Sequence, residues 1–181
     1  MTTTENTENT ARLRRAATAD AGLLAQLAAR LFEDTFGPDN DPENMRAYLA
    51  GAFSEEKMRS ELADDDRAVW IAFDRADRPI GYAAMRRGTR ADGLVAERPA
   101  EVQRIYADRT WHGRGVGVAL MAACVGQARV WNCEVLWLAV WERNPRAIAF
   151  YEKAGFRKVG RQTFLLGRDV QSDNVMARVI T

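Results

Sequence analysis

The sequence predicts a mixed α+β domain, in which helices pack on both faces of a twisted, mostly antiparallel sheet with one parallel strand pair. Three observations support this prediction. A glycine-rich turn at 112–117 separates a strand-like segment from a helix-like segment. A continuous apolar run at 135–140 suits a strand that is buried on both faces. A helix signal then follows, with Asn144 as N-cap and Pro145 in the first turn.

The elements in the first half follow from local patterns. Leu23, Leu24, Leu27 and Leu31 share one face of a helix. Asn, Asp, Ser and Pro mark helix starts, and runs of β-branched and aromatic residues mark strands. The predicted order is a strand at 11–17, a helix capped by Thr18 or Asp20, helices from Asp41-Pro42 and from Ser54, a hairpin of Val69–Phe73 with Ile80–Arg87, and a polar loop at 88–100.

The second half contains the remaining strands and helices. The helix that begins at Pro145 ends at Gly155, because glycine is the usual residue just after a helix C-terminus. The predicted elements are a strand at 101–106, a helix over Val118–Val125, a strand at 135–140, the helix from Pro145, and two closing strands, Phe156–Leu166 and Asn174–Ile180.

The turn His112-Gly113-Arg114-Gly115-Val116-Gly117 is a predicted anion site. A glycine-rich turn that opens a helix directs several backbone N–H groups at one point, and the helix dipole adds positive potential there. The spacing fits neither a dinucleotide-binding G-x-G-x-x-G early in the chain nor a nucleotide-hydrolase loop ending in Lys-Ser or Lys-Thr. Taken alone, the turn is weak evidence for a phosphate site, and the simpler interpretation is a tight turn.

The segment after the apolar run indicates which phosphate-containing ligand the glycine-rich turn would bind. Asn144, Ala147, Tyr151, Gly155 and Phe156 match the pattern N-x-x-A-x-x-x-Y-x-x-x-G-F. Together with the glycine turn, this resembles the acyl-CoA-binding core of the GNAT superfamily of N-acetyltransferases, over about residues 66–181. The resemblance implies acetyl-CoA as acetyl donor and CoA as product. It also implies that strands 101–106 and 135–140 splay apart around the pantetheine arm.

The resemblance implies roles for individual residues. Tyr151 is the candidate acid for the leaving thiolate, and Glu101 is the candidate base for the amine. A backbone N–H near Ile105 to Ala107 is expected to polarise the thioester carbonyl. His112 stands where the family usually has Gln or Arg. The expected cofactor-binding residues are Tyr106, Ala107, His112, Gly113, Arg114, Gly115, Val116, Gly117, Asn144 and Tyr151.

The amino-terminal third carries a narrower resemblance. The strings Phe32–Gly37, Asn40, Glu43–Met45 and Tyr48–Leu49, with Glu101–Tyr106 later, resemble the PaiA-type spermidine/spermine acetyltransferases. The resemblance implies a small amine acceptor of the polyamine class, with Glu33 and Asp34 as acceptor-binding candidates.

The charge distribution fits the same interpretation. Residues 33–66 carry eleven acids and three bases, and residues 101–168 carry eleven bases and five acids. This separation would attract a cationic acceptor and an anionic cofactor to different regions. Acidic helices with solvated faces explain the first segment equally well.

Bulk composition limits the remaining possibilities. The chain has 181 residues, 47% hydrophobic and 28% charged, with net charge +1. We expect a disordered tail at 1–10 and one acyltransferase domain at 11–181, located in the cytoplasm, with reduced cysteines. No membrane span, no nucleic-acid partner and no metal site are expected, since one His and two Cys do not make a usual zinc site. The resemblance allows a homodimer.

Two other functions remain open from the sequence. A non-catalytic acyl-CoA-binding or sensor module would have the same phosphate site. An acetyltransferase acting on peptide amino termini or on antibiotics would have the same catalytic core.

Overall fold

The computed structural model describes residues 11–180; the predicted tail at 1–10 and the final residue lie outside this range. Within it, seven strands form one sheet in the order β1-β2-β3-β4-β5-β7-β6. The strands are β1 (Arg12–Arg15), β2 (Arg67–Phe73), β3 (Pro79–Arg87), β4 (Pro99–Ala107), β5 (Val135–Trp141), β6 (Arg157–Leu166) and β7 (Asp169–Val179). The helices are α1 (Ala21–Phe36), α2 (Pro42–Ala52), α3 (Glu55–Ala63), α4 (Val116–Val130) and α5 (Pro145–Lys153).

The sheet has the predicted architecture. All neighbouring strands are antiparallel except β4 and β5, which are parallel. Side chains of α4 and α5 pack on one face in a cluster that includes Leu120 and Leu136. Side chains of α1, α2 and α3 pack on the other face in a cluster that includes Leu31 and Ile71. The mixed α+β prediction, with helices on both faces and one parallel pair, is confirmed.

Two of the helix starts predicted in the first half of the chain have the expected caps. The Asp41 carboxylate accepts hydrogen bonds from the backbone N–H groups of Glu43 and Asn44, at 2.9 and 3.0 Å. Ser54 Oγ accepts from the N–H of Lys57 at 3.2 Å. These side chains satisfy N–H groups that have no partner inside the helix.

The start of α1 differs from the prediction. Residues 18–20 form one 3₁₀ turn, and α1 begins at Ala21. The Asp20 carboxylate accepts from the Ala17 N–H at 2.8 Å and from the Arg14 guanidinium at 2.7 Å. Asp20 therefore stabilises the turn before the helix and does not cap α1.

Several other element boundaries also differ from the prediction. β4 begins at Pro99, inside the predicted loop, because Ala100 is fully buried and the segment pairs with β5. α4 begins at Val116, two residues before the predicted helix. β7 begins at Asp169, five residues before the predicted start, because it forms a hairpin with β6.

An ion pair lies under β4 on the face covered by α1, α2 and α3. The Arg104 guanidinium donates to both carboxylate oxygens of Glu61, at 2.6 and 3.0 Å. Glu61 is only 6% exposed. A buried pair of this kind adds little net stability, but either partner left alone is costly.

We therefore expect Glu61→Ala to lower the free energy of unfolding by about 3–5 kcal/mol, because it leaves a buried guanidinium without its carboxylate. Urea denaturation measures the loss. Glu56→Ala, at an exposed site on the same helix, is the control, and it should cost less than about 1 kcal/mol. Equal effects of the two changes would contradict this account of the pair.

Candidate active site

The site begins where β4 and β5 separate. Their parallel pairing covers Pro99 to Glu101 on β4 and ends at the Glu101–Trp137 pair. Beyond it the strands diverge, and a cavity of about 560 Å³ opens between them. Residues 101–107 line this cavity, and Ala139 to Trp141 line its other side. Backbone groups of β4 that would have bonded to β5 therefore face the cavity.

A bulge shapes the same stretch of β4. Ala84 of β3 pairs with Arg104, whereas Met85 pairs with Val102, so Gln103 is an extra residue on β4. A bulge of this kind bends a strand and increases its local twist. The bulge lies two residues after the last β4–β5 pair and contributes to the divergence of the strands.

The glycine-rich turn lies at the cavity and has the geometry of an anion cradle. Gly113 and Gly115 have φ values of 76° and 85°, in the left-handed region that favours glycine. A Cβ built on either residue meets no atom within 4 Å, so the space in front of the backbone is open. Gly115 is the N-cap of α4, and the first N–H groups of that helix have no partner inside it. The chain thus presents an N–H cluster where a pyrophosphate would fit.

His112 links the cradle to the end of β4. One ring nitrogen, Nε2, donates to the Ala107 carbonyl oxygen at 3.0 Å, and the other, Nδ1, accepts from the Arg146 guanidinium. Burial, followed by the nearby Arg146 charge, lowers the pKa of His112 below its usual value. The neutral ring therefore holds Arg146 beside the cradle. This arrangement supplies a cation there although position 112 is not itself Arg.

Positive charge surrounds the cradle. A smaller cavity of about 300 Å³ adjoins it and is lined by Arg109, Arg143 and Arg146, with Asp39 as the one acid that lines it among residues 11–180. The Arg114 guanidinium lies 5.5 Å from the centre of the Trp111 ring. A highly charged anion such as CoA would be attracted to this region.

Asn144 and Tyr151 occupy the positions that the motif predicts. The Asn144 side chain accepts from the Ala147 N–H at 3.2 Å and caps α5. Tyr151 is 8% exposed, lines the cavity, and packs edge-on against Phe150 and Phe156. Burial raises the pKa of Tyr151 well above its usual value. Its hydroxyl therefore stays protonated at neutral pH.

Glu101 lies where β4 and β5 begin to diverge. It lines the cavity, and its carboxylate accepts from Gln103 Nε2 at 3.2 Å. Burial raises the pKa of Glu101 above its usual range. A carboxylate with a raised pKa is a stronger base, which suits removal of a proton from an amine.

Aromatic side chains form the wall opposite the cofactor side. Phe32 and Phe36 of α1 pack near Tyr106, each with ring centres 6.2 Å from it. Phe36 also reaches Trp141 of β5, at 6.0 Å. The Tyr106 ring, predicted near the cofactor, thus lies on the α1 face, while its backbone and that of Ala107 border the cavity. The Phe32–Gly37 string therefore supplies part of this wall.

Two asparagines of the same segment hold the β6–β7 hairpin over the wall. Asn44 Oδ1 accepts from the Arg168 N–H at 3.0 Å, and Asn40 Oδ1 accepts from Gln171 Nε2 at 2.6 Å. Gln171 itself lines the cavity. The hairpin and α2 therefore close the cavity on the side away from the cradle.

Glu33 and Asp34 lie outside the cavity. Both are exposed, and neither is among its lining residues. An Asp34 oxygen lies 3.6 Å from the Arg30 guanidinium, and the Asp34 carbonyl accepts from Arg109. Their role as acceptor-binding residues stays a prediction. In that role they would attract the acceptor from the protein surface, outside the cavity.

Sequence reasoning missed Asp173. This residue of β7 lines the cavity, is 7% exposed, and has one carboxylate oxygen, Oδ1, with no hydrogen-bond partner among residues 11–180. Burial, together with the charge of Glu142, raises its pKa to about 6. The predicted last strand begins at Asn174, which leaves Asp173 in a turn. A longer strand would have placed this acid on the same face as Val175 and Ala177.

Two features are absent from residues 11–180. No cluster of His, Cys, Asp or Glu suited to a metal ion occurs within 11–180. None of the helices in the described part of the chain is long and apolar enough to cross a membrane.

Comparison with known proteins identifies the family. The acetyltransferase (GNAT) family profile matches residues 26–156. An uncharacterized N-acetyltransferase of Mycobacterium bovis is 35% identical over 160 residues, covering 88% of this chain and 97% of that protein. An aminoglycoside N(6')-acetyltransferase type 1 of Stenotrophomonas maltophilia is 28% identical, covering 84% and 90%.

A solved structure shares the fold. The PaiA N-acetyltransferase of Thermoplasma acidophilum, crystallised with coenzyme A, superimposes with a TM-score of 0.74 at 18% identity, covering 94% of this chain and 99% of that one. The chain therefore belongs to the GNAT acetyltransferase family and is an acetyl-CoA-dependent N-acetyltransferase.

Proposed function

We propose that this enzyme acetylates a primary amine of a small cationic molecule, by direct attack of the amine on acetyl-CoA while both are bound. The observation that carries the proposal is the continuity of one cavity. It runs from the glycine cradle past Tyr151 and Glu101 to the wall of α1 and the β6–β7 hairpin. Donor and acceptor can therefore be held together without an acetylated enzyme intermediate.

Each step of the reaction has a candidate group. N–H groups of 113–118 hold the pyrophosphate, and the unpaired backbone of β4 after Glu101 donates to the thioester oxygen. Glu101 takes a proton from the ammonium form of the acceptor, directly or through water. The free amine then forms the C–N bond as the C–S bond breaks. Tyr151 donates a proton to the departing thiolate and regains one, through water, from the nitrogen, which loses its second proton as the amide forms.

Charge supports a cationic acceptor. Glu101 and Asp173 both line the cavity, and most of the acids of 33–66 are exposed to solvent. A negative surface raises the local concentration of cations. The aminoglycoside relative is consistent with this class, because aminoglycosides are polycationic amines.

A CoA-thiol release assay over a panel of amines tests the proposal. The panel contains polyamines, aminoglycosides, neutral amino-acid amides and peptide amino termini, at equal concentrations. We expect the highest kcat/KM with a small polycation, and KM should rise with salt because exposed charges are screened. A best acceptor that is neutral, anionic or a peptide amino terminus would refute the cationic class.

A further inference from the structure

The position of Asp173 in the sheet directs its side chain toward the acceptor. Asp173 is paired with Trp141 of β5 and with Gln162 of β6. Residues directly opposite in antiparallel strands project to the same face. Trp141 contacts Phe36 of α1, so this is the face covered by α1, α2 and α3. Asp173 therefore belongs to the acceptor side of the cavity.

Its surroundings leave the carboxylate without a cation. A buried carboxylate normally has an ion-pair partner or several hydrogen bonds. Asp173 has no ion pair among residues 11–180, and its Oδ1 atom has no hydrogen bond. The charge that contributes to its raised pKa is that of Glu142, an acid, and the strand neighbours Trp141 and Gln162 carry no charge. The folded chain thus keeps an uncompensated negative group at a cavity wall.

The adjacent rings are also suited to a cation. Tyr48, Phe164 and Trp141 line the same cavity, and the Tyr48 and Phe164 rings lie 5.5 Å apart. The face of an aromatic ring attracts an ammonium group, by about 0.5–2 kcal/mol. A carboxylate beside several rings is a combination that binds an alkylammonium through charge and apolar contact together.

We infer that Asp173 anchors a second, non-reacting ammonium group of the acceptor while the reacting amine lies at Glu101. This inference rests on the proposed function and specifies its acceptor as a diamine or longer polyamine. Glu101 of β4 lies opposite Trp137 of β5, and Asp173 of β7 lies opposite Trp141 of β5. Trp137 and Trp141 are four residues apart on β5. Four residues of strand span about 13 Å, so the two amines must be well separated.

Calorimetry on the CoA-bound protein tests the inference, with α,ω-diamines of increasing length and n-alkylamines of the same lengths as probes. We expect wild type to bind long diamines at least about tenfold more tightly than matched monoamines. Asp173→Asn should lower the affinity for long diamines by about 10- to 100-fold, which is the effect expected when a hydrogen bond to a charged group is lost. The same change should leave monoamine affinity within about twofold.

Two controls separate binding from structure. Asp65→Asn makes the same charge change at an exposed site away from the cavity and should not alter diamine binding. Thermal unfolding shows whether Asp173 has a merely structural role. Burial raises the pKa of Asp173 to about 6 in the folded protein, so above that pH the charged carboxylate lowers the free energy of unfolding. Asp173→Asn removes this charge and should therefore raise Tm at neutral pH by a few degrees. A structural carboxylate would instead lower Tm on removal.

The outcomes are distinguishable from failure of the proposed function. Equal diamine affinity in wild type and Asp173→Asn, or no preference of wild type for diamines over monoamines, overturns the inference, whatever the acetylation panel gives. Loss of diamine affinity with a raised Tm supports it. A wild type that releases no thiol with any amine refutes the proposed function, whereas binding of diamines still decides the role of Asp173.

Discussion

Gly115→Asp is expected to abolish CoA binding. Gly115 is the N-cap of α4, with φ 85°, and the space that its Cβ would enter is the empty cradle. An added carboxylate would lie close to the pyrophosphate. Two unit charges 4 Å apart repel by about 4 kcal/mol at an effective dielectric of 20, which corresponds to roughly a thousandfold in affinity.

The same substitution should leave the protein folded. Asp is a favoured N-cap residue, tolerates the left-handed conformation better than most residues, and its charge suits a helix N-terminus. Calorimetric titration with CoA gives the affinity, and thermal unfolding checks the fold.

Gly115→Asn separates shape from charge, because it has the same size without the carboxylate, and it should lose much less affinity. Gly126→Asp places the same charge on the exposed side of α4 and should bind CoA normally. An unchanged CoA affinity in folded Gly115→Asp would mean that the cradle is not the phosphate site.

The cradle and the α5 motif could be predicted because their chemistry is local. The glycine-rich turn, the Asn144 cap and the Asp41 cap each depend on residues within four positions of one another. Tyr151 is placed by α5, the helix that Asn144 caps. The divergence of the parallel strands 101–106 and 135–140 followed from the family resemblance, and the structure shows that they diverge after Glu101.

The acceptor half of the site could not be predicted in the same way. Asp173 reaches the cavity because β7, which forms a hairpin with β6, also pairs with β5 on its other edge, and this arrangement aligns Trp141, Asp173 and Gln162. Asn44 contacts Arg168 across 124 residues of sequence. Periodicity identifies a strand but gives no information on its neighbour in the sheet, and one residue of register decides which face a side chain occupies.

The prediction of Glu33 and Asp34 as acceptor-binding residues shows the difference between local sequence composition and position in the folded chain. Acidic content in 33–66 is a property of the sequence, but most of those acids are exposed, and Glu61 is neutralised by Arg104. The carboxylates that do line the cavity, Glu101 and Asp173, lie on strands outside that segment. Composition therefore indicated a cationic acceptor without locating the groups that would bind it.

Tyr151→Phe is expected to lower kcat by roughly 10²- to 10⁴-fold while leaving CoA affinity within a few-fold, the usual range for loss of a general acid. The aromatic ring and its contacts with Phe150 and Phe156 remain, so only the proton donor is removed. KM for acetyl-CoA should change little, because the cradle holds the cofactor at a different place.

Tyr151 can act as the general acid even though burial raises the pKa of its hydroxyl. Cys124 belongs to the same apolar cluster and contributes to the Tyr151 shift, and burial raises the pKa of its thiol to about 12. A CoA thiolate that leaves into this environment would be desolvated in the same way. The pKa of the tyrosine that gives the proton and the pKa of the thiol that receives it are therefore both raised, and proton transfer from tyrosine to thiolate stays feasible.

Single-turnover thiol release measures the chemical step of this variant, and Tyr82→Phe is the matched control. The Tyr82 hydroxyl is fully buried, has no hydrogen-bond partner among residues 11–180, and does not line the cavity. Its removal should leave kcat unchanged, since no reacting atom lies near it. If Tyr151→Phe turns over at the rate of Tyr82→Phe, the thiolate takes its proton from water or leaves unprotonated, and Tyr151 only packs against its aromatic neighbours.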